Sequence, residues 1–128
     1  MKAILDTHAL IWLDAEPSKL STAVPRYLAD PTCECFISVV NVWEILIKVG
    51  IRKLTIRDDI RVIIADQLRL NPLQLLPIQY DHVLVIDGLP PAHKDPFDRM
   101  LVAQAIAENA VLLTDDHLIR QYPVRTDW

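Results

Sequence analysis

Short, mostly apolar runs alternate along the chain with segments whose apolar residues recur at helical spacing. The runs Lys2–Leu5, Phe36–Val40 and Ala110–Thr114 are typical of strands that are buried on both faces of a sheet. Leu73–Ile78 predicts a further strand, and Val124–Thr126 predicts a last small one. Strands that alternate with helices in this way indicate an α/β fold, in which helices cover both faces of a mainly parallel sheet.

Helix start and stop signals lie between these strands. The strongest is Asp95-Pro96, because an aspartate caps a helix well and proline suits the first helical position. Asn41 is predicted to cap another helix, in which Glu44 is the third residue and which Gly50 ends. The other predicted helices begin near Ala9, run from Ser18 to Leu28, run from Asp58 or Asp59 to Leu68, and run from Tyr80 to Leu89.

Length, charge and hydropathy narrow the class of protein. The 128 residues suit one domain, residues 1–128, which would bury roughly two-thirds of its unfolded surface. The net charge of −4 argues against a protein that coats nucleic acid through bulk attraction. Every long apolar run contains charges and the amino terminus lacks the pattern of a secretory signal, so we expect a cytoplasmic protein with no membrane partner.

Acidic residues follow the predicted strands, at the ends where a parallel sheet binds ligands. Asp6 ends the first strand, and Glu44 lies in the helix after the second. Asp98 falls in the first turn of the helix that begins at position 96. Asp115 and Asp116 follow a later buried strand, and either can supply a fourth carboxylate. Because these strand ends meet at one edge of the sheet, we expect the acids to share a site.

Several ionised carboxylates in one cleft need a cation among them. Two carboxylates about 4 Å apart repel by roughly 4 kcal/mol at an effective dielectric constant near 20. Oxygen ligands favour Mg²⁺ or Mn²⁺ over Zn²⁺. Such an ion activates a water molecule and steadies the negative charge that builds on a phosphate during hydrolysis. The acids therefore predict Mg²⁺ or Mn²⁺ as the cofactor.

Residues near the acids also have ordinary structural explanations. Glu44 alone is more often the second half of a capping box with Asn41. Thr7 either caps the first helix or positions a water molecule at the site. The histidines lack the spacing of a histidine metal site, and the tryptophans are expected in the core. These neighbours are His8, His93, His117, Trp12 and Trp43.

Four blocks of the sequence together resemble the PIN-domain family, and within it the VapC-type toxins of bacterial toxin-antitoxin pairs. The blocks are Leu5–Leu10, Val42–Ile45 with Lys48, His93–Gln104 and Thr114–Asp116. The third block is the most specific, and the others are weak signals alone. The blocks occur in the family's order and span nearly the whole chain.

The resemblance implies a three-layer α/β/α fold and a metal-dependent endoribonuclease. The family's acids map onto Asp6, Glu44, Asp98 and a last aspartate, which the family's spacing places at Asp116 rather than Asp115. We interpret them as a cluster that holds one or two Mg²⁺ or Mn²⁺ ions. Proteins of this kind form homodimers, are silenced by an antitoxin whose tail occupies the acidic groove, and often cut transfer RNA or ribosomal RNA.

Residues beside the four acids are assigned supporting roles. The resemblance implies that Asp95 is a neighbouring acid, which either helps to hold the ion directly or supports the residues that do. Lys48 and Arg99 are candidates for contact with substrate phosphates, with the alternative that Arg99 holds an acid in place. The next candidates for contact with RNA are Arg52, Lys53 and Arg57.

Two other functions fit parts of this pattern. A non-catalytic interaction module would use the acids as helix caps and would bind a basic partner peptide in the acidic groove, without a divalent ion. A phosphatase with an aspartyl nucleophile also suits an aspartate after an early buried strand. Dehalogenase-like phosphatases place a second aspartate where this chain has His8, which counts against that function.

Overall fold

Five parallel strands form the centre of the molecule, which a computed structural model describes over residues 1–128. The strands are β1 (Lys2–Leu5), β2 (Glu34–Ser38), β3 (Leu73–Leu76), β4 (Val111–Leu113) and β5 (Thr126–Asp127). They lie in the order β3-β2-β1-β4-β5, and every neighbouring pair is parallel. The predicted mainly parallel sheet is therefore confirmed, with β3 at one edge.

Six α-helices connect and cover the strands. They are α1 (Thr7–Ala15), α2 (Ala23–Ala29), α3 (Val39–Gly50), α4 (Ile60–Leu70), α5 (Tyr80–Asp87) and α6 (Pro96–Ala107). Short 3₁₀ turns occupy Pro17–Lys19 and Ile119–Gln121. None of the helices has both the length and the apolar content that crossing a lipid bilayer requires.

Alternate residues of β1, β2 and β4 enter two separate hydrophobic cores. Ala3 and Leu5 of β1 face one core, which is completed by residues of α1, α2, α3 and α4. Ile4 lies between them and faces the other core, to which α6 contributes most. This period of two is the geometry of a strand with both faces covered. The chain is therefore a three-layer α/β/α sandwich, as the resemblance implied.

Burial on both faces makes the central strands the main source of stability. Leu112 of β4 is fully buried in the core beneath α6. Replacing it with alanine is expected to lower the free energy of unfolding by about 2–5 kcal/mol, because a cavity remains. Urea denaturation would measure the loss. Leu75→Ala is the control, since Leu75 lies on the edge strand and is 44% exposed, and equal losses at the two positions would contradict this view of the core.

The start of α3 differs from the prediction. Strand β2 ends at Ser38, whose hydroxyl accepts from the Val40 N–H (3.0 Å) and caps α3. Asn41 is the third helical residue rather than the cap, and its carbonyl accepts from the Ser38 N–H (2.8 Å). Both residue types are good caps, so the sequence alone favoured the wrong one. The predicted capping box between Asn41 and Glu44 is wrong.

The second helix and the last strand are also displaced from their predicted positions. Helix α2 begins at Ala23 rather than at Ser18, which lies in the first 3₁₀ turn. The reason is Pro25, which lacks an N–H and is tolerated only in the first turn of a helix. Strand β5 occupies Thr126–Asp127 and pairs with β4, so it begins two residues later than expected.

Buried hydrogen bonds fix α6 against α3. The Ser38 hydroxyl that caps α3 donates to the side-chain carbonyl of Gln104 in α6. The amide of Gln104 in turn donates to the Pro77 carbonyl (3.2 Å). Ser38 and Gln104 are both fully buried. Since an unpaired buried polar group is costly, these bonds hold the two helices in one relative position.

Candidate active site

An acidic cavity of about 580 Å³ lies at the carboxyl ends of the strands. This is the edge where the strand order changes direction between β1 and β4, which is the usual ligand position in open α/β sheets. Six carboxylates, three histidines and one lysine line the cavity. The lining residues are Asp6, His8, Trp12, Glu44, Lys48, His93, Asp95, Asp98, Asp115, Asp116, His117 and Leu118. The structure thus brings all of the acids singled out in the sequence to one cavity.

Asp6 is held at the junction of β1 and α1. Its carboxylate accepts from the Ala9 N–H (2.7 Å) and so caps α1. Burial raises the pKa of Asp6, and hydrogen bonds from Thr114 and from the Ala9 N–H oppose that rise. Thr7 is the first residue of α1, so the suggestion that Thr7 caps this helix is wrong.

Glu44 is held by a chain of buried hydrogen bonds. Only 2% of Glu44 is exposed, one of its oxygens accepts from the Thr7 hydroxyl, and the other accepts from the Lys48 ammonium. The amide of Asn41 donates to the Thr7 oxygen (3.1 Å) and to the Leu5 carbonyl (3.2 Å). Because the Thr7 oxygen accepts from Asn41, its single proton is directed to Glu44.

Asn41 is a site residue that sequence reasoning did not assign. The signal was its position three residues before Glu44, which places both side chains on one face of α3. That spacing was explained as capping, whereas Asn41 reaches across to β1 and orients the hydroxyl that contacts the acid.

The most compact group of possible ion ligands comprises His93, Asp98 and Asp116. Their nearest ligand atoms all lie within 4.8 Å of one another. The Nε2 atom of His93 is 3.1 Å from an Asp98 oxygen and 3.2 Å from an Asp116 oxygen. His93 is a site residue that the sequence pattern does not assign, because its spacing to the acids has no pattern of its own.

The tautomer of His93 follows from its other ring nitrogen. Nδ1 of His93 accepts from the Asp95 N–H (3.1 Å), so the proton of a neutral ring is on Nε2. His93 therefore donates towards the carboxylates of Asp98 and Asp116 in this geometry. It joins two acids that would otherwise repel one another.

The electrostatics of Asp98 suit a bound cation. Burial, together with the charges of Asp95, Glu44 and Asp116, raises the pKa of Asp98 to about 7, against the opposing effect of His93. A divalent ion among these oxygens would relieve the repulsion. The carboxylate oxygens of this group fit Mg²⁺ or Mn²⁺, for which oxygen ligands are preferred, and His93 lies beside them as a hydrogen-bond donor.

The two aspartates after β4 have different surroundings. Asp116 accepts from the Leu118 N–H (2.9 Å) with one oxygen and faces His93 with the other. Asp115 is exposed at the rim of the cavity, and its charge contributes to the raised pKa of Asp6. The geometry therefore favours Asp116 as the fourth acid of the cluster and leaves Asp115 as a peripheral charge.

Asp95 supports the site from the start of α6. One of its carboxylate oxygens accepts from the Phe97 N–H (2.8 Å) and, more weakly, from the Asp98 N–H (3.4 Å). This is the predicted cap of α6. Because that cap fixes the first turn of the helix, it fixes where the Asp98 side chain enters the cavity.

The cations proposed for phosphate contact fall in different places. Lys48 lines the acidic cavity, whereas Arg99 does not. Arg99 donates to the Pro90 carbonyl (2.9 Å) and the Tyr122 hydroxyl (3.0 Å), and that hydroxyl also accepts from the His93 N–H (2.8 Å). Arg99 thus fixes the segment that carries His93 and neither faces the cavity nor binds an acid.

Two further residues named in the sequence analysis lie on the surface. Arg57 is paired with Asp14 and Asp66 and lies outside the acidic cavity. Trp43 is 49% exposed and lies edge-on against Phe97, with 4.9 Å between ring centroids, so its assignment to the core is wrong.

Comparison with known proteins assigns the chain to a family. The sequence matches the PIN domain over residues 3–124. The chain belongs to the PIN-domain family. A search of curated protein sequences gave no significant match.

Solved structures share the PIN fold of this chain. A chain of VapBC2 from Rickettsia felis, bound to a DNA fragment from their promoter, is 17% identical with a TM-score of 0.74, over 99% of this chain and 98% of that one. A chain of DNA-bound VapBC from Salmonella typhimurium is 16% identical with a TM-score of 0.69, over 99% and 97%. A chain of VapBC-1 from nontypeable Haemophilus influenzae is 20% identical with a TM-score of 0.65, over 99% and 97%. At these identities, the likeness establishes the PIN fold alone.

Proposed function

We propose that the protein is a VapC-type toxin: a Mg²⁺- or Mn²⁺-dependent endoribonuclease, acting in the cytoplasm on transfer RNA or ribosomal RNA, that a cognate antitoxin neutralises. The observation that carries the proposal is the acidic cavity, in which six carboxylates converge at the strand ends. PIN domains are generally metal-dependent nucleases. We take residues 1–128 as a single PIN-like domain.

The four central acids have complementary positions for holding an ion. Asp98 and Asp116 face His93 on one side, while Asp6 and Glu44 lie on the side formed by β1 and α3. Mg²⁺ or Mn²⁺ bound there supplies a Lewis acid that lowers the pKa of water and stabilises negative charge on a phosphate. Each of these side chains is already fixed by hydrogen bonds or burial, so the site needs little reorganisation to act.

Lys48 is the cation placed to meet substrate. Its ammonium contacts Glu44 and borders the acidic cavity. A phosphate that enters the cavity can accept a hydrogen bond from the Lys48 ammonium, in place of part of the contact between Lys48 and Glu44. Lys48 therefore positions substrate while it restrains Glu44.

Protein partners are supported by two features. The three similar structures described above are VapBC assemblies, and a surplus of carboxylates suits a basic side chain of an antitoxin. Helix α3 also exposes a stripe of large apolar residues, which is a feature of protein contact surfaces. The stripe comprises Val39, Trp43, Leu46 and Ile47. We include a homodimer in the proposal, and light scattering of the purified protein tests it.

The test of the enzymatic proposal is cleavage of a pool of small RNAs by purified protein in Mg²⁺ or Mn²⁺, compared with a chelator. Asp6→Asn is expected to lower the cleavage rate by roughly a hundredfold or more, since one carboxylate of the cluster is lost. The variant should fold, because an asparagine oxygen still accepts from the Ala9 N–H and caps α1.

Asp81→Asn is the matched control, because Asp81 is an exposed acid of α5 outside the acidic cavity. It should cleave at the wild-type rate. Cleavage that persists in chelator would rule out the proposed chemistry. No cleavage by folded, antitoxin-free protein would favour the non-catalytic module that binds a basic peptide.

A further inference from the structure

A second cavity of about 460 Å³, here called the side cavity, adjoins the acidic cavity. His8, Trp12 and Lys48 line both cavities, so the two are adjacent at these residues. Beyond these shared residues, the charged side chains that line the side cavity are Lys53 and one acid, Glu16. Glu16 is itself paired with Lys19 (3.1 Å). The side cavity is therefore a cationic extension of the acidic one.

The end of α3 places Lys53 beside Lys48. The Lys53 N–H donates to the Lys48 carbonyl (2.9 Å), and the Arg52 N–H donates to the Val49 carbonyl (3.1 Å). Arg52 has φ 61°, the left-handed conformation that closes a helix in this way. These two hydrogen bonds and the left-handed conformation of Arg52 fix the turn. The two lysines therefore remain neighbours along the side cavity.

Lys53 is a free charge in a protein that has few near its site. Seven of the thirteen Lys and Arg side chains pair with an acid. Lys53 is exposed and has no such partner. With a net charge of −4 and six carboxylates in the adjoining cavity, a polyanion needs a local cation to approach.

Two rings border both cavities. His8 and Trp12 lie one turn apart on α1, with ring centroids separated by 5.7 Å. The indole also packs against Trp128, again at 5.7 Å, which restrains its orientation. Aromatic side chains beside a line of cations are the features with which proteins hold unpaired nucleotides, because every base has a flat face.

We propose that the side cavity binds the unpaired nucleotide next to the scissile phosphate, with its base against His8 and Trp12 and its outer phosphate on Lys53. This subsite rests on the proposed ribonuclease function. It restricts cleavage to single-stranded segments, since a paired base cannot turn its face to the rings. The acidic cavity then receives the scissile phosphate, with Lys48 between the two positions.

The test is binding of a fluorescein-labelled oligouridylate decamer in chelator, measured by anisotropy as salt is varied. Lys53→Gln is expected to weaken binding about fivefold to tenfold and to reduce the salt slope by about 0.7, the value for one phosphate contact of a single strand. Lys53→Arg should restore the slope. Lys2→Gln is the control. It also removes one positive charge, but Lys2 lies at the start of β1, at the end of the strand away from the two cavities.

The aromatic part is tested with His8→Ala, which changes an exposed side chain and leaves the packing of Trp12 on Trp128 in place. It should weaken binding of the decamer, while a duplex of the same length binds poorly to wild type and variant alike. The subsite would be overturned if Lys53→Gln bound the decamer as tightly as the wild type does, or if the wild type did not bind the decamer.

Failure of the subsite and failure of the proposed function give different results. Binding is measured without an ion, so it does not depend on catalysis. If the wild type cleaves RNA in Mg²⁺ but Lys53→Gln binds the decamer normally, the ribonuclease stands and the subsite is rejected. That result would indicate that the side cavity serves a protein partner.

Discussion

Asp98→Asn is expected to abolish metal-dependent cleavage of RNA while making the metal-free protein more stable. The cleavage rate should fall by roughly 10²–10³-fold, because the variant removes a carboxylate from the most compact ligand group. An inactive variant that is more stable than the wild type cannot owe its inactivity to unfolding. The two opposite effects therefore separate a role in the site from a role in the fold.

The gain in stability follows from the pKa of Asp98. Folding raises it from 3.8 to about 7, chiefly through burial and then through Asp95, Glu44 and Asp116. Each unit of such a shift corresponds to about 1.4 kcal/mol, so an ionised Asp98 opposes folding by at most roughly 4 kcal/mol. Asparagine keeps the shape without the charge. We expect the free energy of unfolding in chelator to rise by about 1–3 kcal/mol near pH 8.

The sign of the pH dependence is fixed by the same shift. Between about pH 4 and pH 7 folded Asp98 holds a proton that the unfolded chain has released, so the stability of the wild type falls as pH rises through this range. Above about pH 7 Asp98 is ionised in both the folded and the unfolded state, so its effect on stability no longer changes with pH. Asp98→Asn lacks this contribution, so its advantage should grow from pH 5 to pH 8.

Urea denaturation in chelator at pH 5 and pH 8 measures the difference, and denaturation with Mn²⁺ completes the set. A ligand that binds only the folded state stabilises it by mass action, so Mn²⁺ should raise the stability of the wild type more than that of the variant. Asp81→Asn again serves as the control. Equal stabilisation of all three proteins by Mn²⁺ would remove Asp98 from the ion site.

Asn41→Asp is expected to damage both stability and activity. Asn41 is fully buried, and its amide donates to the Leu5 carbonyl and the Thr7 oxygen. An aspartate carboxylate cannot donate to the Leu5 carbonyl or the Thr7 oxygen, so these two hydrogen bonds are lost. It also adds a negative charge beside Glu44. We expect a loss of roughly 3 kcal/mol in the free energy of unfolding, from unpaired buried polar groups.

Activity should suffer separately, because the Thr7 proton would turn away from Glu44 and leave that acid less well oriented. Cleavage by the folded variant is expected to fall about tenfold. Urea denaturation and cleavage at a temperature where the variant is folded measure the two effects. Asn71→Asp is the matched control, since Asn71 lies at the partly exposed end of α4 and should lose less than about 1 kcal/mol. A stable, fully active Asn41→Asp would show that the hydrogen-bond chain does not position Glu44.

The strands were predictable because burial on both faces leaves a continuous apolar run, as in Lys2–Leu5 and Val111–Leu113. The meeting of the acids was predictable for a related reason. Residues that follow parallel strands share one edge of a sheet, whatever their separation in sequence. The order of the elements and the pattern of apolar and polar residues were therefore sufficient to predict the architecture and the position of the acidic cavity.

Details that depend on packing between distant segments were not predictable. His93 reaches Asp116 because its backbone N–H is held by Tyr122, and no pattern in the sequence connects those positions. Arg99 looked like a phosphate ligand by charge alone, but the same tyrosine takes it away from the cavity. Ser38 and Asn41 are equally good caps by residue type. Only the packing of β1 against α3 shows that Ser38 is the cap and that Asn41 contacts Leu5.

The hydrogen bond from Asn41 to the Leu5 carbonyl ties one wall of the acidic cavity to the sheet, whereas the other wall is held by contacts of a loop. The bond ties α3 to the end of β1, so Asp6 and Glu44 cannot separate unless the sheet itself opens. The opposite wall is attached through His93 and the loop that Tyr122 holds. Any widening of the cavity is then expected to require local breakage of the hydrogen bonds from His93 to Tyr122 and from Arg99 to Pro90, on a timescale independent of global unfolding.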